Sequence, residues 1–299
     1  MANVRANGIQ IEYDTFGARG GEPILLVMGL GGQMLLWDED FCQRLADRGH
    51  WVVRYDNRDV GLSTHFDAQG VPNLPQVMLE AQSGKTPSVA YTLDDMADDA
   101  IGLCDALALP RVHVVGASMG GMIAQTIAYR HAPRVSSLVS IMSSTGSPTL
   151  PPAKPELMAR LAAPAPEGRD ATIEASVETW RLISGPGYAF DEAAVRERTG
   201  LLYDRANHPQ GQARQLAAII AHGDRSPRLA AVRAPTLVIH GTDDPLVPVE
   251  GGKHTHASIA GSELLLIPGM GHDMPRSLFG KLVEAISTHV KKAPSARSH

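Results

Sequence analysis

Cysteine is scarce in this chain, with two in 299 residues, Cys42 and Cys104. Two are too few for a disulfide framework or a cysteine-rich zinc site, and both fall in helix-like segments, where a small buried hydrophobe is the expected role. Excess positive charge is also missing. With 27 Lys+Arg against 32 Asp+Glu, the formal net charge is −5, which excludes a nucleic-acid binder working through a basic field. No apolar stretch approaches the ~18 residues that span a bilayer, and Met1 to Asp14 lacks a cationic start followed by an apolar run. No membrane segment is expected, and the cytoplasm is the default location. What is present is 43% hydrophobic and 20% charged residues, the balance of a globular chain able to bury a core.

Short apolar runs alternate with longer segments of helical period, the order of βα units around a mostly parallel sheet. Ile9, Ile11 and Tyr13 alternate with polar residues, as in a half-exposed edge strand. Continuous apolar runs at residues 24–28, 51–55, 112–115, 135–142, 236–240 and 264–267 read as six buried strands. Amphipathic period predicts helices over 33–48, 92–108, 119–131 and 277–290, with Thr92 as an N-cap followed by Asp94 and Asp95. The alternation stops between Ser143 and Leu229. Prolines 148, 151, 152, 155, 164 and 166 punctuate its start, and 169–184, 191–205 and 209–222 are helical in pattern. The expected division is a core of residues 1–142 and 230–299 carrying a helical cap of residues 143–229. The cationic tail from Lys291 to His299 is expected to fray.

The segment Val112-His113-Val114-Val115-Gly116-Ala117-Ser118-Met119-Gly120-Gly121-Met122 runs an apolar strand into Gly-x-Ser-x-Gly and on into a helical pattern. That context separates a nucleophile elbow from a loop that merely joins strand to helix. So tight a turn strains the serine backbone and requires minimal side chains two residues to either side, where Gly116 and Gly120 stand. The N–H of Met119, at a helix N-terminus, would face a developing oxyanion.

A serine hydroxyl is a weak nucleophile near neutral pH and needs a base that is itself oriented by an acid. The chain order expected for this architecture is serine, acid, histidine. His240-Gly241-Thr242-Asp243-Asp244-Pro245-Leu246-Val247-Pro248 follows one strand, and Pro268-Gly269-Met270-Gly271-His272-Asp273 follows the next. Both turns lie at strand carboxyl ends, where open α/β sheets carry their sites. His272 is the expected base. His113, His131 and His240 sit in or beside regular elements, where packed, hydrogen-bonded roles are expected. Asp243 and Asp244 share one turn, and Pro245 biases Asp244 toward an extended backbone, which favours Asp244 as the acid and leaves Asp243 to shape the turn. The second oxyanion donor is expected to be the N–H of Leu30, in Met28-Gly29-Leu30-Gly31-Gly32. Leu30, Met119, Met142, Leu246 and Met274 are candidate walls of an apolar pocket, with ordinary core packing as the alternative for each.

Two rival readings are weaker. Gly29-x-Gly31 after a strand also suits a dinucleotide loop, with Asp56 as a ribose-binding acid, but Met34 stands where the third glycine is needed. His254-Thr255-His256 puts two imidazoles on different sides of a helix, so a solvated helix face is expected there rather than a metal site.

Taken together, these segments resemble the α/β-hydrolase family. The carriers are Val27-Met28-Gly29, Arg54-Tyr55-Asp56-Asn57-Arg58-Asp59-Val60-Gly61-Leu62-Ser63, Gly116-Ala117-Ser118-Met119-Gly120, the Asp244 turn and Gly269-Met270-Gly271-His272. Trp180-Arg181-Leu182-Ile183-Ser184-Gly185, Phe190-Asp191 and Gly252-Lys253-His254 are similar to the aclacinomycin methylesterase group. The resemblance implies a mostly parallel sheet of about eight strands, flanking helices, a helical cap inserted after strand 6, no cofactor and hydrolysis of a carboxylic ester. Many members have histidine where this chain has Met28, and the rest of the cap diverges, so the anthracycline substrate is not carried over. Asp56 and Arg58 are expected to be structural, behind the oxyanion loop.

The expected function is therefore a serine carboxylesterase in which Ser118, His272 and Asp244 form a triad and Leu30 and Met119 bind the oxyanion. No metal and no cofactor are expected. Ser118 excludes epoxide hydrolases and haloalkane dehalogenases, which need a carboxylate at the elbow. A lactonase, a C–C bond hydrolase or a cofactor-free perhydrolase could use the same groups. A non-catalytic small-ligand binder on this scaffold is the alternative of another class. The expected partner is a small-molecule ester, with no nucleic acid and no membrane, and a homodimer stays open.

Overall fold

In the computed structural model, which describes residues 1–163 and 165–296, the apolar runs become strands of one eight-stranded sheet. Along the chain come β1 (Ala2–Ala6), β2 (Ile9–Phe16), β3 (Glu22–Val27), α1 (Glu39–Ala46), β4 (His50–Tyr55), α2 (Leu74–Gln82) and α3 (Leu93–Ala106). Next are β5 (Val112–Ala117), α4 (Met119–Arg130) and β6 (Val135–Ile141). Five helices follow, α5 (Pro155–Ala162), α6 (Arg169–Ile183), α7 (Glu192–Arg205), α8 (Pro209–His222) and α9 (Ser226–Leu229). The chain closes with β7 (Thr236–Gly241), α10 (Val249–Ser258), β8 (Glu263–Ile267) and α11 (Phe279–Lys292).

The strands lie in the order β1-β2-β4-β3-β5-β6-β7-β8. The pairs β1–β2 and β2–β4 are antiparallel and the others parallel. Alternate side chains along each central strand enter opposite faces. Leu25, Val27 and Val114 pack with α3 and α4, while Ile24, Leu26 and Val115 pack with α1 and α11. The chain passes from β3 to β4 on one side and then from β4 across β3 to β5 on the other, and it is at such a reversal of strand order that a crevice opens at the strands' carboxyl ends.

Several sequence expectations need correction. Ile9, Ile11 and Tyr13 do alternate, but β2 is not the edge, since β1 pairs outside it from Ala2↔Tyr13 to Ala6↔Ile9. β1 gave little signal because Ala2, Asn3 and Arg5 are exposed. β8, expected to be buried, is the opposite edge, with Ile267 its one buried residue. The helical period over 33–48 splits into a 3-10 turn, Met34–Leu36, and α1, which Asp38 caps by accepting the Asp40 N–H at 2.9 Å. Helices α2 and α5 were not expected, and α2 buries Val77 alone, too little for a visible stripe. Thr92 does cap α3, and Asp95 returns the bond by accepting the Thr92 N–H at 2.7 Å. The tail does not fray at Lys291, because α11 continues through Lys292 and the Ala296 N–H bonds Glu22. Pro164 and residues 297–299 lie outside the described residues. Both cysteines are buried, and burial pushes each thiol up to about 12. Among the described residues no helix is long and apolar enough to cross a membrane.

The helices between β6 and β7 form the cap, and buried polar contacts tie it to the core. Asp59 and Arg214 of α8 have almost no side-chain exposure, 0% and 1%. The guanidinium donates to both carboxylate oxygens at 2.8 Å and to the Gly70 carbonyl at 2.9 Å. Burial alone would raise the Asp59 carboxyl, but the Arg214 bonds outweigh it and hold it below its ordinary value. Removing one partner of such a pair leaves a buried charge unsatisfied. Arg214→Met is therefore expected to lose about 3 kcal/mol of stability in urea unfolding, and a loss under about 0.5 kcal/mol would show that the pair does not hold the cap.

Candidate active site

Ser118 joins the end of β5 to the start of α4 with φ 57°, ψ −123°, a left-handed conformation that a β-carbon disfavours. Backbone on three sides enforces it. A Cβ on Gly116 would lie 2.0 Å from the Gly120 carbonyl oxygen, and one on Gly120 would lie 2.0 Å from that of Val27. The Ser118 N–H donates to the Ile141 carbonyl at 2.9 Å, which ties the turn to the end of β6. The chain at Ser118 therefore turns sharply, and its side chain stands at the carboxyl edge of the sheet.

The parallel register of neighbouring strands brings the other groups to it. Val27 pairs with Gly116, so the turn after β3 abuts the turn after β5. A Cβ on Gly29 would lie 3.0 Å from Ser118 Cβ, a closeness only glycine permits without displacement. Asn57 donates to the Met28 carbonyl at 2.9 Å, and Gly32 N–H donates to the Gly29 carbonyl at 3.1 Å, closing a turn over Leu30 and Gly31. Among the described residues no acceptor takes the Leu30 or Met119 N–H. The side chains of Met119 and Met142 are buried in the core, while Leu30, Leu246 and Met274 are half-buried.

On the far side, Gly241 of β7 pairs with Ile267 of β8, which sets the acid turn beside the histidine loop. His272 Nε2 lies 2.9 Å from Ser118 Oγ and its Nδ1 lies 2.7 Å from Asp244 Oδ2. A carboxylate only accepts, so Nδ1–H donates to Asp244, and Nε2 is left to accept from the Ser118 hydroxyl. The other oxygen of Asp244 accepts the N–H groups of Leu246 and Val247 at 2.9 and 2.8 Å. Burial opposes ionisation of Asp244, but the adjacent His272, His240 and the Val247 N–H outweigh it and hold the carboxyl well below the usual range. Asp243 points elsewhere, and its Oδ2 accepts the Gly269 N–H at 3.0 Å. Of the two neighbouring acids, one reaches the imidazole and the other ties the two turns together.

The cap supports the histidine loop. The His272 N–H donates to the Ile183 carbonyl at 2.7 Å, and the Gly187 N–H donates to the Gly269 carbonyl at 2.9 Å. A Cβ on Gly185 would meet the Gly271 nitrogen at 2.2 Å. This contact explains the glycine that follows Trp180-Arg181-Leu182-Ile183-Ser184. Burial raises the Asp273 carboxyl, against the opposing influence of Ser184 and the Gly185 N–H.

His113, His131 and His240 are held in packed, hydrogen-bonded positions. His113 bonds Ser137 at 2.8 Å, His131 bonds Asp98 at 2.7 Å, and His240 bonds the Val247 carbonyl at 2.8 Å. His254 and His256 are not the solvated pair expected, since they are half-buried on Thr145 and Ser262, each at 2.8 Å. Asp56 and Arg58 are framework groups, with Asp56 accepting the Met34 and Leu62 N–H groups and Arg58 paired to buried Asp99.

One group has the composition of a metal site, with ligand atoms of His65, Asp67 and His208 within 4.8 Å of one another. The two rings stack with centroids 3.8 Å apart and planes 5° from parallel, so their in-plane lone pairs do not converge. Arg214 already donates to His208 Nε2 at 3.0 Å and to Asp67 at 3.1 Å. A guanidinium fills the place a cation would take.

A family model described as alpha/beta hydrolase fold matches residues 22–275. The rhodomycin D methylesterase DauP of Streptomyces sp. (strain C5) is 29% identical over 297 residues, covering 91% of each chain. The solved enol-lactonase from Burkholderia xenovorans LB400 is similar with a TM-score of 0.73 at 21% identity, covering 97% of this chain and 100% of that one. A thermophilic esterase from Thermogutta terrifontis gives a TM-score of 0.74 at 24% identity, covering 98% and 99%. At these identities the two structures bear on the fold.

The strain at Ser118 is measurable. Ser118→Gly is expected to exceed Ser118→Ala in unfolding free energy by about 1 kcal/mol, because glycine enters this conformation freely. Urea titration of both variants checks it, and an alanine variant as stable as the glycine variant would show that this backbone carries no strain.

Proposed function

The chain belongs to the α/β-hydrolase family, and from that premise we propose that it is a serine carboxylesterase acting on a small-molecule ester through an acyl-enzyme. The observation that carries the reading is the unbroken chain of hydrogen bonds from Ser118 through His272 to Asp244, at 2.9 and 2.7 Å. It supplies the three roles such chemistry needs, a nucleophile, a base and a group that orients the base.

In the proposed reaction His272 Nε2 takes the Ser118 hydroxyl proton as Oγ bonds to the ester carbonyl carbon. The negative oxygen is met by the N–H groups of Leu30 and Met119, and that neither has an acceptor among the described residues supports this role. Collapse of the tetrahedral species breaks the bond to the alcohol, which leaves with the proton from His272. Water then adds to the acyl carbon and gives its proton to the same nitrogen, and as the bond to Oγ breaks His272 returns that proton to Ser118 and the acid leaves. Asp244, held ionised by its surroundings, keeps Nδ1–H in place throughout.

Residues 143–229 would act as the cap over this site, on a core of residues 1–142 and 230–299. Leu30, Leu246 and Met274, half-buried around the turns, would form the pocket wall, with Met119 and Met142 behind them. A lactone is a cyclic ester and fits the same steps, so the substrate panel includes one.

Ser118→Ala and His272→Ala are each expected to abolish hydrolysis of a short-chain aryl ester while the fold is kept, and Asp244→Asn to lower kcat about 10³- to 10⁴-fold. More than a few per cent of wild-type activity in folded Ser118→Ala or His272→Ala would refute the assignment. An organophosphonate is expected to transfer its phosphonyl group to Ser118 alone, with the leaving group and the hydroxyl proton departing, and the added mass to be that of the phosphonyl group. Failure to modify it would favour a ligand-binding protein over an enzyme.

A further inference from the structure

The turn that offers the Leu30 N–H is held from two directions. On the core side Asn57 donates to the Met28 carbonyl at 2.9 Å. On the cap side, Gln215 of α8 accepts the Gly31 N–H on Oε1 at 2.8 Å and donates from Nε2 to the Arg58 carbonyl at 2.8 Å. Gln215 is fully buried, at 0% exposure. Its amide has one orientation, because turning it over would set N–H against N–H and carbonyl against carbonyl. Arg58 is in turn anchored by two bonds to buried Asp99, at 2.6 and 2.7 Å.

Gly31 has φ 64° and is the third residue of a four-residue turn closed by Gly32 N–H to the Gly29 carbonyl. A positive φ at that position belongs to a turn whose central peptide is reversed relative to the commoner form. Gly31 N–H is part of that central peptide. A buried acceptor fixed on it selects one of the two peptide orientations, and the acceptor comes from the cap rather than the core. A water could accept the same bond but would leave the peptide free to reverse.

We infer that Gln215 is a positioning residue for the oxyanion turn, so that the turn holds its working shape only while α8 is seated on the core. This rests on the esterase reading of the site, in which Leu30 N–H receives the developing charge. Gln215 itself touches no reacting atom. The cap thereby acts on rate as well as on access, since lifting α8 withdraws Gln215 from Gly31 and loosens one of two oxyanion donors. Preorganised donors matter most in the transition state, so the cost falls on kcat more than on substrate affinity.

The test uses the 299-residue chain, a short-chain aryl ester and an alkylboronic acid. The boronic acid forms a bond from Ser118 Oγ to boron, with the hydroxyl proton passing to His272, and presents a tetrahedral oxygen to the same donors. Gln215→Met keeps the chain length and removes both bonds. It is expected to lower kcat about tenfold or more, with KM changed less than about twofold and the boronate Ki raised by the same factor as kcat falls. Gln215→Glu retains an acceptor for Gly31 N–H and is expected to recover part of both losses. It also serves if the methionine variant does not fold.

Unchanged kcat and boronate Ki in a folded variant would overturn the inference. So would a fall in kcat with no change in the boronate Ki, or a glutamate variant no better than methionine. A structural role alone would appear as a lower urea midpoint with native kinetic constants, which also overturns it. Wild-type activity that survives Ser118→Ala would instead sink the esterase reading, and the two failures are therefore distinguishable.

Discussion

The parallel register between β3 and β5 governs the arrangement of the whole site. Because Val27 pairs with Gly116, both strands end at the same level and their following turns meet backbone to backbone. That contact leaves no room for a side chain at Gly120 and little at Gly29, while the Gly120 carbonyl closes off Gly116 within the turn itself, and Ser118 is held at a left-handed φ. Strain of this kind persists only where surroundings over-determine it. Here the packed helix α4, the Ile141 carbonyl and the β3 turn do so together.

The second half of the site is assembled by a separate pair of strands. β7 and β8 deliver the Asp244 turn and the His272 loop, and Asp243 links the two through Gly269. Between the two halves stands β6, so the distance from Ser118 to His272 depends on the sheet as a unit. The cap then reaches both halves, taking the His272 N–H on Ile183 and the Gly31 N–H on Gln215. Its burial of Arg214 on Asp59 fixes α8 at the position those contacts require.

How much could be read from the chain follows from how local each cause is. The strand and turn at Ser118 were readable because glycines two residues to either side are a steric demand within one pentapeptide. The capping of α3 by Thr92 was readable for the same reason, since donor and acceptor are three residues apart. β1 was missed because its pairing partner, rather than any apolar run of its own, makes it a strand. The choice of Asp244 over Asp243 rested on Pro245 alone, whereas the separation of their directions is set by the Leu246, Val247 and Gly269 N–H groups.

Turn sterics, helix caps, the apolar strand cores and the serine, acid, histidine order are properties of neighbouring residues, and the amino-acid string carries them without help. The roles of Gln215 and Ile183 are of another kind. Gln215 reaches Gly31 across 184 residues and Arg58 across 157, and nothing in its own surroundings along α8 marks it out. A buried amide bonds whatever backbone groups the packed helix is set against, and that choice is made when the cap and the sheet close on each other, after local preference has had its say.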